Sequence, residues 1–126
     1  MTGALPLLRK IAFFIGWLLM LVVAALSLVP AALRPETAIP HHLEHFAVFA
    51  ATGFALGFGY GRRPVTIMLA LVGFAGAIEL AQMLLPDRHA RLADFLVDAL
   101  AVCAGAALSS LTHRAREPRP QSTPLV

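Results

Sequence analysis

Four apolar stretches, separated by prolines and charges, set the pattern of this chain. The first, residues 11–29, carries no charge. At 1.5 Å per residue a helix of that length covers about 28 Å, close to the ~30 Å of bilayer hydrocarbon. Arg9 and Lys10 precede it and Pro30 ends it. A cleaved signal peptide is the competing reading, but its apolar region normally runs ~7–15 residues. The rest of the chain is also apolar, so an uncleaved span is expected. Trp17, inside this stretch, reads as a packing residue.

The second stretch is residues 46–60, extended back to 43–60 to reach a workable length. His41, His42, Glu44 and His45 stand at its start. His41 and His42 read as solvated loop residues. Gly53, Gly57 and Gly61 recur every fourth residue on one face, the spacing that lets a neighbouring helix come close. The third stretch, 65–85, holds Glu79 and Gln82 in its last third and stops before Pro86. The fourth, 92–111, holds Asp94 and Asp98 in its first third. The link 87–91 is short enough to force an antiparallel hairpin. Residues 112–126 are basic and proline-rich, with too little apolar surface to fold, and are expected to form a disordered cytoplasmic tail.

Composition agrees with the pattern. The 126 residues are 59% hydrophobic and 13% charged, with a mean hydropathy of +0.78, where soluble domains hold about 25% charged residues. The single cysteine, Cys103, excludes an intrachain disulfide. The net charge of +3 sits in short clusters between apolar runs. That reads as topology rather than as a nucleic-acid face. Arg9, Lys10, Arg62, Arg63, Arg114, Arg116 and Arg119 fall on one side of the threaded helices, and Arg34, Arg88 and Arg91 on the other. The expected fold is an all-α membrane protein, a four-transmembrane-helix bundle with N- and C-termini cytoplasmic. Residues 1–10 form the N-terminal segment and 11–111 the transmembrane domain.

Threaded in this way, the polar residues collect at one depth, in the outer half of the membrane. His45 opens the second helix, Glu79 and Gln82 lie near the outer end of the third, and Asp94 and Asp98 open the fourth. Arg88 and Arg91 hang in the adjoining loop. Spacings of three and four residues put Glu79 with Gln82, and Asp94 with Asp98, on single helix faces. A charge at the bilayer centre costs ~2.5–3.5 kcal/mol even on the insertion scale, so these groups are expected to face the bundle interior. The first helix is expected to supply apolar wall alone. No spacing matches a metal motif such as His-Glu-x-x-His, and neither a metal nor any other cofactor is expected.

The run Ile78-Glu79-Leu80-Ala81-Gln82-Met83-Leu84-Leu85-Pro86-Asp87-Arg88, followed by Asp94-Phe95-Leu96-Val97-Asp98 and Gly105, resembles the VanZ-like family. That family's pattern is Glu-x-x-Gln-x-x-x-Pro-x-Arg, then Asp-x-x-x-Asn and small residues, with a His opening an upstream helix. The resemblance covers residues 45–105. It carries the family positions onto His45, Glu79, Gln82, Arg88 and Asp94. Asp98 stands where the family usually has Asn, and Ala101 where a glycine is common. The resemblance implies a multi-pass protein of the bacterial inner membrane, similar in this motif to the founding member, which is associated with teicoplanin resistance.

His45, Glu79, Gln82, Arg88, Asp94 and Asp98 are therefore the candidate ligand-binding cluster. Its bland alternative is interhelical glue, since membrane hydrogen bonds average ~0.6 kcal/mol and are widespread. The expected function is binding of an amphiphilic envelope ligand, such as a lipid-linked cell-wall component or a glycopeptide, alongside membrane lipid and with self-association open. Two alternatives stand beside it. One is a membrane enzyme using carboxylate acid–base chemistry, although no nucleophile accompanies the acids. The other is a small multidrug-type transporter acting as an oligomer, although its essential acid would belong in the uncharged first helix.

Overall fold

The computed structural model describes residues 4–30, 33, 38, 40–61, 63–85 and 92–115. The segment 86–91, which includes Arg88 and Arg91, and residues 116–126 of the expected tail lie outside the described residues. Within them the chain is all-helical: α1 (Ala4–Leu28), α2 (His41–Tyr60), α3 (Pro64–Met83) and α4 (Leu92–Arg114).

Local chemistry explains most of the bounds. α2 begins directly after Pro40 and closes on Gly61, whose φ of 78° is the left-handed conformation that glycine adopts without strain. The Gly61 N–H donates to the Gly57 carbonyl at 3.1 Å. α3 opens with Pro64 in its first turn, where a missing N–H costs nothing. α1 starts seven residues ahead of its apolar run, because Leu7, Leu8, Arg9 and Lys10 are good helix formers and Pro6 is tolerated in a first turn. α4 runs on to Arg114, beyond the expected end at Leu111. The Thr112 hydroxyl donates to the Ser109 carbonyl at 2.6 Å, and His113 and Arg114 suit the last turn.

Three helices, α1, α3 and α4, are long and apolar enough to cross a membrane. Their outer surfaces match: Phe14, Leu18 and Leu21 of α1 leave 69%, 61% and 66% of their area exposed. With no water to satisfy backbone groups in hydrocarbon, helices of this kind suit a lipid solvent, and they point to a membrane protein. α2 falls short of them because His41, His42, Glu44 and His45 fill its first turns. It packs on α1 along one side and on α4 along another, while α1 and α4 do not touch among the described residues. Phe49, Thr52, Ala55, Leu56 and Phe58 are all buried on it. A helix covered by neighbours needs small residues more than lipid-facing bulk.

Among the described residues the α2–α4 seam is the tightest, and its two helices run parallel. His42 pairs in register with Asp94, His45 with Asp98, and Phe58 with His113. A Cβ on Gly53 would fall on the carbonyl oxygen of Val102, and one on Gly105 would fall on the carbonyl oxygen of Ala50. Gly57 is closed off in the same way by the Ser109 hydroxyl. Ala101, Val102 and Ala106 are completely buried there. Gly61 does not continue this ladder. It caps α2, and a side chain there would collide with the Arg9 guanidinium of α1. The antiparallel α1–α2 contact uses another face, with Gly16 under Leu56, Gly59 under Phe13, and the Phe13 and Tyr60 rings 5.1 Å apart. α3 lays a single stripe, Leu71, Ala75, Ile78 and Gln82, on the rest.

Substituting Gly105 by Val should cost at least the ~1–3 kcal/mol of ordinary overpacking, since the obstacle is backbone that cannot rotate away. Gly73→Ala, with open space around the site, should be neutral or stabilise by up to about 1 kcal/mol. Unfolding in mixed micelles followed by far-UV circular dichroism tests both; equal effects would refute the seam.

Candidate functional site

The first polar pair follows from the parallel seam. Four residues separate Asp94 from Asp98, so both lie on the face of α4 that meets α2. Asp98 is buried at 4% exposure. The His45 Nδ1 lies 3.3 and 3.4 Å from its two carboxylate oxygens, and in the tautomer with the proton on Nδ1 it donates to them. The imidazole also leans on Phe49, ring centroids 6.0 Å apart. One turn nearer the helix starts, the His42 Nδ1 stands 3.4 Å from the Asp94 Oδ1. That contact is an ion-pair distance without hydrogen-bond geometry, because the same oxygen is buried and accepts no hydrogen bond among the described residues. His42 is thus no loop residue: it sits in the first turn of α2, facing a carboxylate of α4.

Gln82 points elsewhere. Its side-chain amide donates to the Ser27 carbonyl at 3.1 Å, and both residues are buried. Ser27 lies in the last turn of α1, where carbonyls have no partner within the helix. Gln82 caps that helix end from a neighbour. The first helix therefore contributes more than apolar wall, since its backbone takes part in the polar network here and its Arg9 meets α2 at the other end.

Glu79 belongs to a third setting. It lines an open groove between α3 and α4 of about 430 Å³, whose other walls are Gly76, Leu80, Met83, Leu92 and Phe95. Phe95 and Leu92 reach this groove from the flank of α4, while Asp94 and Asp98 face α2. The expected cluster is thus divided by interface: His45 with Asp98 and His42 with Asp94 between α2 and α4, Gln82 on α1, and Glu79 in the groove. All three settings lie at the end of the bundle where α2 and α4 begin. Arg88 lies outside the described residues. Among the described residues no three His, Cys, Asp or Glu side chains gather to hold a metal ion.

His42 was the residue the sequence hid. Its only signal was the four-residue step between Asp94 and Asp98, which pairs with the three-residue step from His42 to His45 once the helices are known to run parallel. At the opposite end, His113 stacks on Phe58 with centroids 5.3 Å apart, and its Nε2 is buried without a hydrogen bond among the described residues.

Removing one member of a buried pair leaves the other desolvated and alone, whereas replacing both by apolar groups relieves the cost. His45→Ala should therefore destabilise the bundle, and His45→Phe with Asp98→Leu should recover most of the loss. The coupling in the corresponding double-mutant cycle should be about 0.6–1.7 kcal/mol, the range of membrane hydrogen bonds. Additive effects in the same unfolding assay would show that the two do not interact. Gln82→Leu should cost about 1–3 kcal/mol by stranding the Ser27 carbonyl.

No protein-family model, no curated protein and no solved structure matches this chain, so its role must be read from its own residues.

Proposed function

We propose that this is a four-span protein of the bacterial inner membrane that binds an amphiphilic envelope molecule in the groove between α3 and α4. The supporting observation is the lining of that groove: apolar walls from Gly76, Leu80, Met83, Leu92 and Phe95 around one acidic side chain, Glu79. Its volume of about 430 Å³ is within the ~300–1,000 Å³ typical of small-molecule sites. An acyl or aryl tail fits such walls. A polar head would sit towards Glu79, whose carboxylate suits an ammonium group or a hydrogen-bond donor.

On this reading α2 is the fourth span, covered on two sides by α1 and α4, and so excused from high hydropathy. The described cations Arg9, Lys10, Arg63 and Arg114 then lie on the cytoplasmic side with both termini, and the acidic end of the bundle faces outward. The resemblance of residues 45–105 to the VanZ-like family supports the same assignment. It suggests a lipid-linked cell-wall component or a lipoglycopeptide as ligand, and protection against such an antibiotic as the outcome. His45–Asp98 and Gln82 hold the outer helix ends in place around the groove rather than touching the ligand.

In cells that depend on the protein for envelope protection, Glu79→Gln should abolish the phenotype at unchanged membrane abundance. Gly73→Ala, on α3 but away from the groove, should preserve it. Mass spectrometry of amphiphiles retained by the purified protein should show a species missing from the Glu79→Gln variant. Full protection by that variant at equal abundance would rule the reading out.

A further inference from the structure

The described charges are segregated along the bundle. Every described carboxylate, Glu44, Glu79, Asp94 and Asp98, lies towards the end where α2 and α4 begin. Every described lysine or arginine lies at the other: Arg9 and Lys10 on α1, Arg63 before α3, and Arg114 at the close of α4. Three chain segments thus bring one sign of charge to each end. At 1.5 Å rise per residue, Glu79 is about 22 Å along α3 from its start, and Asp98 about 24 Å from Arg114. These separations are far beyond ion-pair contact, so no described carboxylate reaches these cations. Their counter-charge must come from outside the described fold.

The surroundings of the cations say which kind. Leu5, Leu7 and Leu8 continue α1 beyond Arg9 and Lys10, and they are 37%, 59% and 49% exposed. Tyr60, 44% exposed, stands at the same level beside Phe13. A soluble polyanion would meet those leucines with nothing to offer them. A lipid leaflet presents phosphates to the cations and acyl chains to the exposed Ile11 and Phe14 on their inner side, while the leucines lie among the headgroups, and tyrosine is enriched at that depth. Arg9 is held there by packing, since its guanidinium fills the space beside the backbone of Gly61.

The geometry points to a collar for anionic glycerophospholipid: Arg9, Lys10, Arg63 and Arg114 seat the phosphates of one leaflet around this end of the bundle. The collar rests on the membrane reading but not on the groove, which lies at the opposite end. It selects lipid by headgroup charge, and each cation near an anionic surface strengthens association about five-fold.

The test is electron spin resonance of the full chain reconstituted in phosphatidylcholine bilayers, with spin-labelled phosphatidylglycerol or phosphatidylcholine as probe. The motionally restricted fraction should be several-fold larger for phosphatidylglycerol, and molar salt should remove the difference. The variant K10Q/R63Q/R114Q keeps the packed Arg9 and should lose most of the preference with helix content unchanged; adding R9Q should remove the rest. Equal restriction of both probes by the native chain would overturn the collar. So would a variant that keeps the full preference, or displacement of the lipid by millimolar inorganic phosphate, which would mark a soluble-phosphate site. An oligonucleotide bound without any lipid preference would overturn it in favour of nucleic acid. Should the variants lose helix content, the probe comparison and salt dependence on the native chain decide. Retention of the groove ligand is read separately, so either reading can fail alone.

Discussion

The carbonyl oxygens of Val102 and Ala50 occupy the places where side chains on Gly53 and Gly105 would be, and the rest of the bundle depends on that contact. In lipid there is no hydrophobic force between helices, so association needs close van der Waals packing and a few polar contacts. Backbone against backbone supplies the first. It fixes the register in which His45 meets Asp98 and His42 meets Asp94. It also makes α2 the axis on which α1 packs from the other side, through Gly16, Gly59 and the Phe13 ring. α3 completes the arrangement with the weakest hold, and the groove beside Glu79 lies along its seam with α4.

The polar groups of this fold solve different problems although they share a depth. Asp98 is buried and needs a partner, which His45 supplies from the facing helix. Gln82 answers a vacancy in another helix, the last-turn carbonyl of Ser27. The hydroxyls of Thr52, Ser109, Ser110 and Thr112 each return to their own backbone three or four residues back, which lets α2 and α4 carry them without partners on a neighbour. Among the described candidate residues, Glu79 alone lines an open, otherwise apolar groove.

How much of this could be read from the residues depended on whether the signal was local. The helices were legible because runs of apolar residues, Pro40, Gly61 and Pro64 act on their immediate neighbours. The start of α1 was misplaced by seven residues because hydropathy marks where lipid begins, whereas Leu7, Leu8, Arg9 and Lys10 stay helical past that limit. The four-residue glycine spacing announced close packing at Gly53 and Gly57, yet could not tell that Gly61 turns to cap the helix against Arg9. Depth was legible too, since threading alone places His45, Glu79, Gln82, Asp94 and Asp98 at one end. Which partner each side chain takes was not, because helix rotation is set by contacts between segments some fifty residues apart. His42, assigned to a loop, and the α1 carbonyl that receives Gln82 were lost for that reason.

A parallel pair of helices has an electrical consequence. Peptide dipoles in α2 and α4 point the same way, and each helix carries about half a unit of positive charge at its start and half a unit of negative charge at its close. α1 and α3 run the other way and cancel most of this over the whole bundle, so the field is local to the two ends of the α2–α4 seam. Glu44 and Asp94 lie in the first turns, with Asp98 just beyond, and His113, Arg114 and the Arg9 guanidinium lie at the closing ends. Carboxylates at one end and cations at the other offset a field that the backbone itself creates. The direction in which two glycine-bearing helices run has set which charge each end of their shared seam can comfortably carry.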